Sequence, residues 1–452
     1  MLRPIGELLL FFVTIISVNV SNAQEVIHDD FPLIPHQVPF VMPSAAVLSA
    51  SPRKVFAHYI TQFIRQRPLP RAVIDESLNS KMNWREQDLC WEVQTAARAG
   101  IDGFLVNLLD TQGVHWERTK SLLAAAATVP GFRIVLMPDV TSAFKTPQEV
   151  VDAMVELGAS PAAYRLPDGR LVVAPYCAQI HPDEWWNEVD AGCVAHGLHI
   201  AFFPVLQSLE IHFERFARNS FGISEWGMRT PETAGHRPDF SAQSHRQKLL
   251  WMEPISPQDM RAKDLFLFEA GNTELFRIMW QRAIDKDADW VQLITWNDYS
   301  EATEIAPSTG TGWMYLDLTS WYAARFKTGA WPKVERDTVW LTHRTQRSDL
   351  KPGKQEKPFF WRDCTPRDEV EAVVLLTSPA DITLTSGKSV VTQHLQGGLS
   401  RLAVPLALGR PSVEIKRQGR LVLRGESRWS VVKEADYQDL LYRSTVLSGP
   451  GK

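Results

Sequence analysis

Residues 290–307 read WVQLITWNDYSEATEIAP. The stretch 291–296 is short, apolar and rich in β-branched residues, the pattern of a buried strand. It then breaks into Asn297, Asp298, Tyr299, Ser300 and Glu301, so two carboxylates three residues apart sit just past a strand's C-terminal end. In parallel sheets and barrels that edge gathers ligands and catalytic groups. Trp296 and Tyr299 flank the acids, as the aromatic walls of a sugar pocket would. The same residues also fit a helix N-terminus, with Asp298 as cap and Glu301 as its capping partner.

Upstream of this stretch, strand and helix patterns alternate. Apolar runs at 55–60, 101–109, 132–140, 171–177, 199–206, 221–226 and 249–255 read as seven more strands. Helical periodicity appears at 84–99, 117–128, 147–157, 183–196, 209–217 and 273–287, and 320–327 falls in a closing helix. Eight strands alternating with helices over residues 54–332 predict an α/β fold, a (β/α)8 TIM barrel. A doubly wound open sheet would more often carry a glycine-rich phosphate loop after its first strand, and the sequence has none.

The flanks differ from the barrel. Arg3, the apolar run 8–18 and the small-x-small Ser21-Asn22-Ala23 predict a signal peptide over 1–23, with the mature chain starting near Gln24. The run is too short to span a bilayer, so no stable membrane insertion is expected after cleavage and the protein should be secreted or periplasmic. Residues 24–53 are Pro-rich without a period and read as an extended arm. Residues 333–357 are charged and aperiodic and read as a linker. Residues 358–447 hold short alternating runs between turn signals, which predict a small accessory β-sandwich that steadies the barrel or binds sugar.

Composition limits the function. The 452 residues are too many for one ordinary core. A net charge of −4 gives no footprint for nucleic acid. The 16 Trp suit a flat-ligand cleft as well as a core. Cys90, Cys177, Cys193 and Cys364 permit disulfides in an exported chain, in three pairings. Neither Cys-x-x-Cys nor His-Glu-x-x-His occurs, so no metal or cofactor is expected, and the chain is read as a monomer.

If the barrel is right, its strands aim acids and aromatics at one mouth. His58 and Tyr59 lie on the first strand, Asn107 on the second, Asp139 on the third and Tyr176 on the fourth. Trp226 lies beside Glu225 on the sixth, Glu253 on the seventh, and Trp296, Asn297 and Tyr299 on or after the eighth. These are the candidate substrate-binding residues. Hydrolysing a glycosidic bond takes one protonated carboxyl and one ionised one. Asp298 and Glu301 fill those roles, and Asp102, at the start of its strand, is either a third catalytic acid or a structural one.

The segments GIDGFLVNLL, FRIVLMPDV, DGRLVVAPY, WGMR, LITWNDYSEATEIAP and DLTSWYAARFKTGAWP resemble glycoside hydrolase family 71, the endo-1,3-alpha-glucanases or mutanases. The resemblance covers roughly residues 54–332. It implies an inverting glycosidase on a (β/α)8 barrel acting on α-1,3-glucan, with Asp298 and Glu301 central and Asp102 also implicated. Fungal members tend to continue Ser-His-Tyr-Ile-Gly-Pro where this chain has Ala302 to Pro307. The alternatives are a glycosidase on another α-linked glycan, such as α-mannan or an exopolysaccharide, and a non-catalytic glycan-binding protein.

Overall fold

The computed structural model describes residues 36–62 and 86–449, so the expected leader and the first part of the expected arm lie outside the described residues. Its elements fall in the compact unit Gln37–Lys452. The strands of the first half are β1 (Lys54–Ile60), β2 (Gly103–Leu108), β3 (Arg133–Pro138), β4 (Leu171–Val173), β5 (Ile200–Phe202), β6 (Val205–Leu206), β7 (Gly222–Glu225) and β8 (Leu250–Ile255). A hairpin of β9 (Met260–Arg261) and β10 (Phe266–Leu267) precedes β11 (Trp290–Leu293).

All but the hairpin form one parallel sheet in the order β5-β4-β3-β2-β1-β11-β8-β7-β6. β5 and β6 are two halves of one strand, interrupted at Phe203 and Pro204. Phe203 N donates to Val173 O at 2.8 Å, Val205 N to Pro175 O at 3.0 Å and Cys177 N to Val205 O at 2.9 Å. The fourth strand therefore bonds along both halves, and the ring closes with eight strand positions. This is the expected (β/α)8 barrel.

Alternation along the strands sorts the side chains. Phe56, Leu105, Met137, Phe203, Met252 and Trp290 fill the barrel interior. Val55, Ala57, Phe104, Val106, Val291 and Leu293 pack outward against the helices. Gly103 is the closest approach in the ring: a Cβ there would meet Arg133 O at 1.9 Å, so no side chain fits. The helices are α1 (Ala45–Ala50), α2 (Glu86–Arg98), α3 (Val114–Ala127), α4 (Pro147–Gly158), α5 (Asp183–Ala195), α6 (Leu209–Phe216), α7 (Pro231–His236), α8 (Phe240–Arg246), α9 (Glu274–Asp285) and α10 (Met314–Thr328). α4 shows the local logic: Thr146 and Glu149 form a reciprocal capping box and Pro147 takes the first turn.

Three expectations need correction. The arm is not wholly irregular, because Ser44 caps the short α1 through Val47 N. Two helices, α7 and α8, fill the sixth crossover, where no helix was expected. The linker is also not one: its middle forms β12 (Thr338–Arg344), which is buried at every position. Val339 and Leu341 face the sandwich core, while Trp340 faces the barrel and donates Nε1–H to Asp317 Oδ2 of α10 at 3.1 Å. A strand covered on both faces reads as a continuous apolar run, and the surrounding charges masked that run.

After β13 (Phe360–Trp361) come β14 (Glu369–Leu376), β15 (Ala380–Ser386), β16 (Ser389–Leu395), β17 (Gly398–Pro405), β18 (Ser412–Arg417), β19 (Arg420–Glu426) and β20 (Tyr442–Ser448). They make two four-stranded sheets, β17-β14-β12-β20 and β16-β15-β18-β19, closing on Val370, Ala372, Ile382, Leu384, Val413 and Ile415. This is the expected sandwich, with β12 as an inner strand. β13 adds to the β9–β10 hairpin instead, through β10. All four cysteines are free thiols.

Candidate active site

The loop after β11 is pinned onto itself. Thr295 N donates to Thr303 O at 2.8 Å, Ile305 N to Thr295 O at 3.0 Å and Ala306 N to Trp296 O at 3.0 Å. Inside it Asp298 Oδ1 accepts from Ser300 N at 3.0 Å, Ser300 Oγ at 2.6 Å and Glu301 N at 3.0 Å. Asp298 thus caps a turn, as the capping alternative anticipated. No helix follows, however, until α10 begins at Met314. The turn fixes the Asp298 carboxyl in one orientation.

Glu301 is held from the neighbouring strand. Met260 N donates to its carbonyl at 2.9 Å, and Arg261 Nη1 lies 2.8 Å from its Oε1. Arg261 is itself gripped by Asp259, through Nε at 3.1 Å and Nη2 at 3.0 Å. Arg229, from the end of the sixth strand position, donates Nε–H to Asp259 Oδ2 at 2.9 Å. The order Arg229–Asp259–Arg261–Glu301 is a chain of alternating charge leading to the catalytic candidate. Burial, then the charges of Asp298 and Asp259, push the Glu301 carboxyl up to about 8, against the pull of Arg261 and Arg229. Burial also raises Asp298, opposed by the donors of its own turn.

The mouth gathers five of the expected binding residues. The His58 ring meets Trp226 edge-on at 4.7 Å, and Tyr176 meets the same indole at 4.7 Å. Asn107 Nδ2 donates to Asp139 Oδ2 at 3.2 Å, and Asp139 lies beside Tyr176 in the sheet. Burial raises the Tyr176 hydroxyl, and the charge of Glu301 adds to the effect. His58 is buried, neither ring nitrogen has a hydrogen-bond partner among the described residues, and desolvation lowers it to about 3. It is a neutral imidazole at the floor of the cleft.

The other expected site residues lie elsewhere, and strand geometry explains each. Asp102 precedes β2, at the opposite end of the barrel from Glu301. Its Oδ2 accepts from Val55 N and pairs with Lys327 Nζ, both at 2.7 Å, which is the structural role left open above. Tyr59 alternates with His58 and so points outward, where its hydroxyl donates to Glu92 Oε2 at 2.5 Å. Trp296 is wholly buried on that outer side, 5.2 Å from Phe104. Asn297 clamps Ile60 N and O, each at 2.9 Å. Tyr299 packs with Ile60 and Leu109. Glu253 accepts from Trp251 Nε1 at 2.6 Å and pairs with Arg237, which also holds Glu225. Tyr59 and Glu253 have outward parity, Asp102 sits at the wrong end of the barrel, and Trp296, Asn297 and Tyr299 come after β11 ends at Leu293, where strand alternation no longer sets direction.

Four functional candidates escaped the sequence reading: Arg229, Asp259, Arg261 and Glu304. Arg229 stood inside the quoted WGMR element. Glu304 stood three residues beyond Glu301, continuing the spacing of the pair. It lies behind Asp298, buried, and desolvation raises it to about 7. A carboxyl raised in this way stabilises the fold fully below its unfolded value near 4.5 and loses that contribution as pH rises through 7. Glu304→Gln cannot ionise. Its melting temperature relative to wild type should therefore shift in the variant's favour between pH 4.5 and 8. A constant difference across that range would show that Glu304 does not titrate there.

The chain is similar to known proteins in sequence and in fold. Residues 51–441 match the profile described as Glycosyl hydrolase family 71. The glucan endo-1,3-alpha-glucosidase agn1 of Schizosaccharomyces pombe is 22% identical over 371 residues, covering 76% of this chain and 85% of the relative. A mutanase of Penicillium rubens is 23% identical over 406 residues, covering 82% and 84%. Among solved structures, a GH99 endo-alpha-mannosidase from Bacteroides thetaiotaomicron aligns with a TM-score of 0.50 at 14% identity, covering 60% of this chain and 97% of that one. At that identity the likeness concerns the fold alone.

Proposed function

This chain belongs to glycosyl hydrolase family 71 and is a glycoside hydrolase; on that premise we propose that it cleaves α-1,3-glucan, internally and with inversion, using Glu301 as general acid and Asp298 as general base. The observation that carries the assignment is the Glu301 carboxyl, held up to about 8 at the end of the last barrel strand. Such a group is protonated at neutral pH and can give its proton to the departing glycosidic oxygen. Asp298, fixed by three donors through Oδ1, orients the attacking water. The two carboxyls are anchored by different partners, Asp298 by its own turn and Glu301 by Arg261, and inversion requires them to stand ~6.5–9.5 Å apart. Asp139, across the mouth, is the second candidate for the base.

Neutral His58, Asn107, Tyr176 and Trp226 bind the sugar beside the cleaved bond. Their mix of an aromatic face with unsatisfied polar atoms fits a polyhydroxyl ring. The apolar run at 8–18 supports export, and no helix among the described residues is long and apolar enough to cross a membrane. The test is a glycan screen with detection of new reducing ends, followed by NMR of the first-formed anomer on the substrate found. New ends on α-1,3-glucan with the inverted anomer support the proposal. New ends only on another α-linked glycan, or none on any, would replace it by one of the two alternatives.

A further inference from the structure

Next to Glu301 the mouth continues into a chamber of about 670 Å³, within the ~300–1,000 Å³ of small-ligand sites. Four separate stretches of chain build it. The ends of the fifth and sixth strand positions contribute Gln207 and Trp226, the β9–β10 segment contributes Arg261 and Phe268, and the C-terminal part contributes Arg362 and Asp363. Arg261 is the residue that holds Glu301, so the chamber runs from the support of the proposed acid to the stretch that precedes β14. Its backbone there is set by sheet pairing: Phe266 pairs with Phe360, and Arg362 N donates to Leu267 O at 3.0 Å.

Arg362 is exposed and pre-positioned. Its guanidinium lies 5.1 Å from the Phe266 ring centre and 5.8 Å from that of Phe268, and among the described residues no carboxylate pairs with it. Cation–π contact with these two mutually perpendicular rings holds the guanidinium in place and leaves N–H groups for a ligand. Phe268 and Trp226 are both half-buried and offer ring faces to the apolar C–H faces of sugars. The chamber carries both signs of charge, Arg362 against Asp363 and Glu210. That balance suits a neutral chain of hydroxyls, which both donate and accept, better than an anionic ligand.

We propose that this chamber is an extended subsite for the glucan chain on one flank of the cleaved linkage, with Arg362 hydrogen-bonding sugar hydroxyls from the C-terminal segment. The inference rests on the α-1,3-glucan reading of the cleft and gives the C-terminal part a direct share in substrate binding. It is tested with Arg362→Ala and Arg362→Gln in the full chain, on α-1,3-linked gluco-oligosaccharides of stepwise length. For chains long enough to reach the chamber KM should rise about tenfold (~1.4 kcal/mol), while kcat stays unchanged. The shortest cleaved oligosaccharide should show no difference from wild type. A length dependence identical to wild type, or an equal loss of kcat at every length, would overturn the subsite. If wild type cleaves a different α-linked glycan, the α-1,3 reading falls, and the same length series on that glycan still decides the chamber.

Discussion

Glu301→Gln should lower kcat on the natural polysaccharide by about 10²–10⁴-fold, the usual contribution of general acid catalysis. Gln keeps the length and an oxygen for Arg261 Nη1, now 2.8 Å from Oε1, so the fold and substrate affinity should persist. The pH profile carries the sign of the assignment. The acid works when protonated, so wild-type activity should fall as pH rises through about 8 and the variant should lack that limb. On the other side Asp298 must be ionised, and burial raises it, so activity should also fall toward acid. Aryl glycosides with good leaving groups need little protonation and should partly rescue Glu301→Gln. They should not rescue Asp298→Asn, whose missing charge leaves water unactivated. Near wild-type turnover by both variants would reduce this loop to the turn cap that Asp298 also forms.

How much of this was legible beforehand depends on which forces set each feature. The barrel strands were readable because their apolar runs are local and periodic. The acid pair was readable because it follows such a run. Side-chain parity was not, since a strand buried on both faces looks apolar at every position. Tyr59 therefore looked like a cleft residue, and Trp296 did so because the end of β11 at Leu293, after which alternation from Trp290 fails, is not visible in the sequence. Glu253 and Asp102 are acids buried as ion pairs with Arg237 and Lys327, partners 16 and 225 positions away in sequence. Local reading has no means of finding such partners. Arg261 and Asp259 fell outside every periodic pattern, being on a hairpin held by β13 from far downstream.

The same long-range pairing hid the character of the C-terminal half, which looked like a tethered module. Its first strand, β12, shares its apolar residues between two cores, and Glu371 of β14 accepts from Thr273 N at 3.0 Å and Arg277 Nη2 at 2.9 Å at the start of α9. Tyr442 N donates to Gln258 Oε1 at 3.0 Å, next to Asp259. The sandwich thus grips the loop that presents Arg261 to Glu301. Fold stability and the placement of the proposed catalytic acid are linked through one surface.

Glu269→Ala should therefore cost about 3–5 kcal/mol, the effect of leaving a buried charge without its partner. Glu269 is buried beyond β10. Its Oε1 accepts from Tyr442 Oη at 2.5 Å and Gly271 N at 2.7 Å, and its Oε2 from Arg344 Nη2 at 3.0 Å and Arg367 N at 2.7 Å. Arg344 of β12 is also buried, with its guanidinium 4.1 Å from the Tyr442 ring centre. Without Glu269 that guanidinium keeps, as hydrogen-bond partners among the described residues, the carbonyls of Leu440 and Arg367, and no paired carboxylate. Against a typical stability of about 5–15 kcal/mol the loss is large. Urea unfolding should show it as a lower midpoint. Pairing Glu269→Gln with Arg344→Met removes both charges together and should recover much of the loss, because the penalty belongs to the orphaned charge and not to the missing contact. If Glu269→Ala unfolds like wild type, the Glu269–Arg344 pair carries no stability between barrel and sandwich.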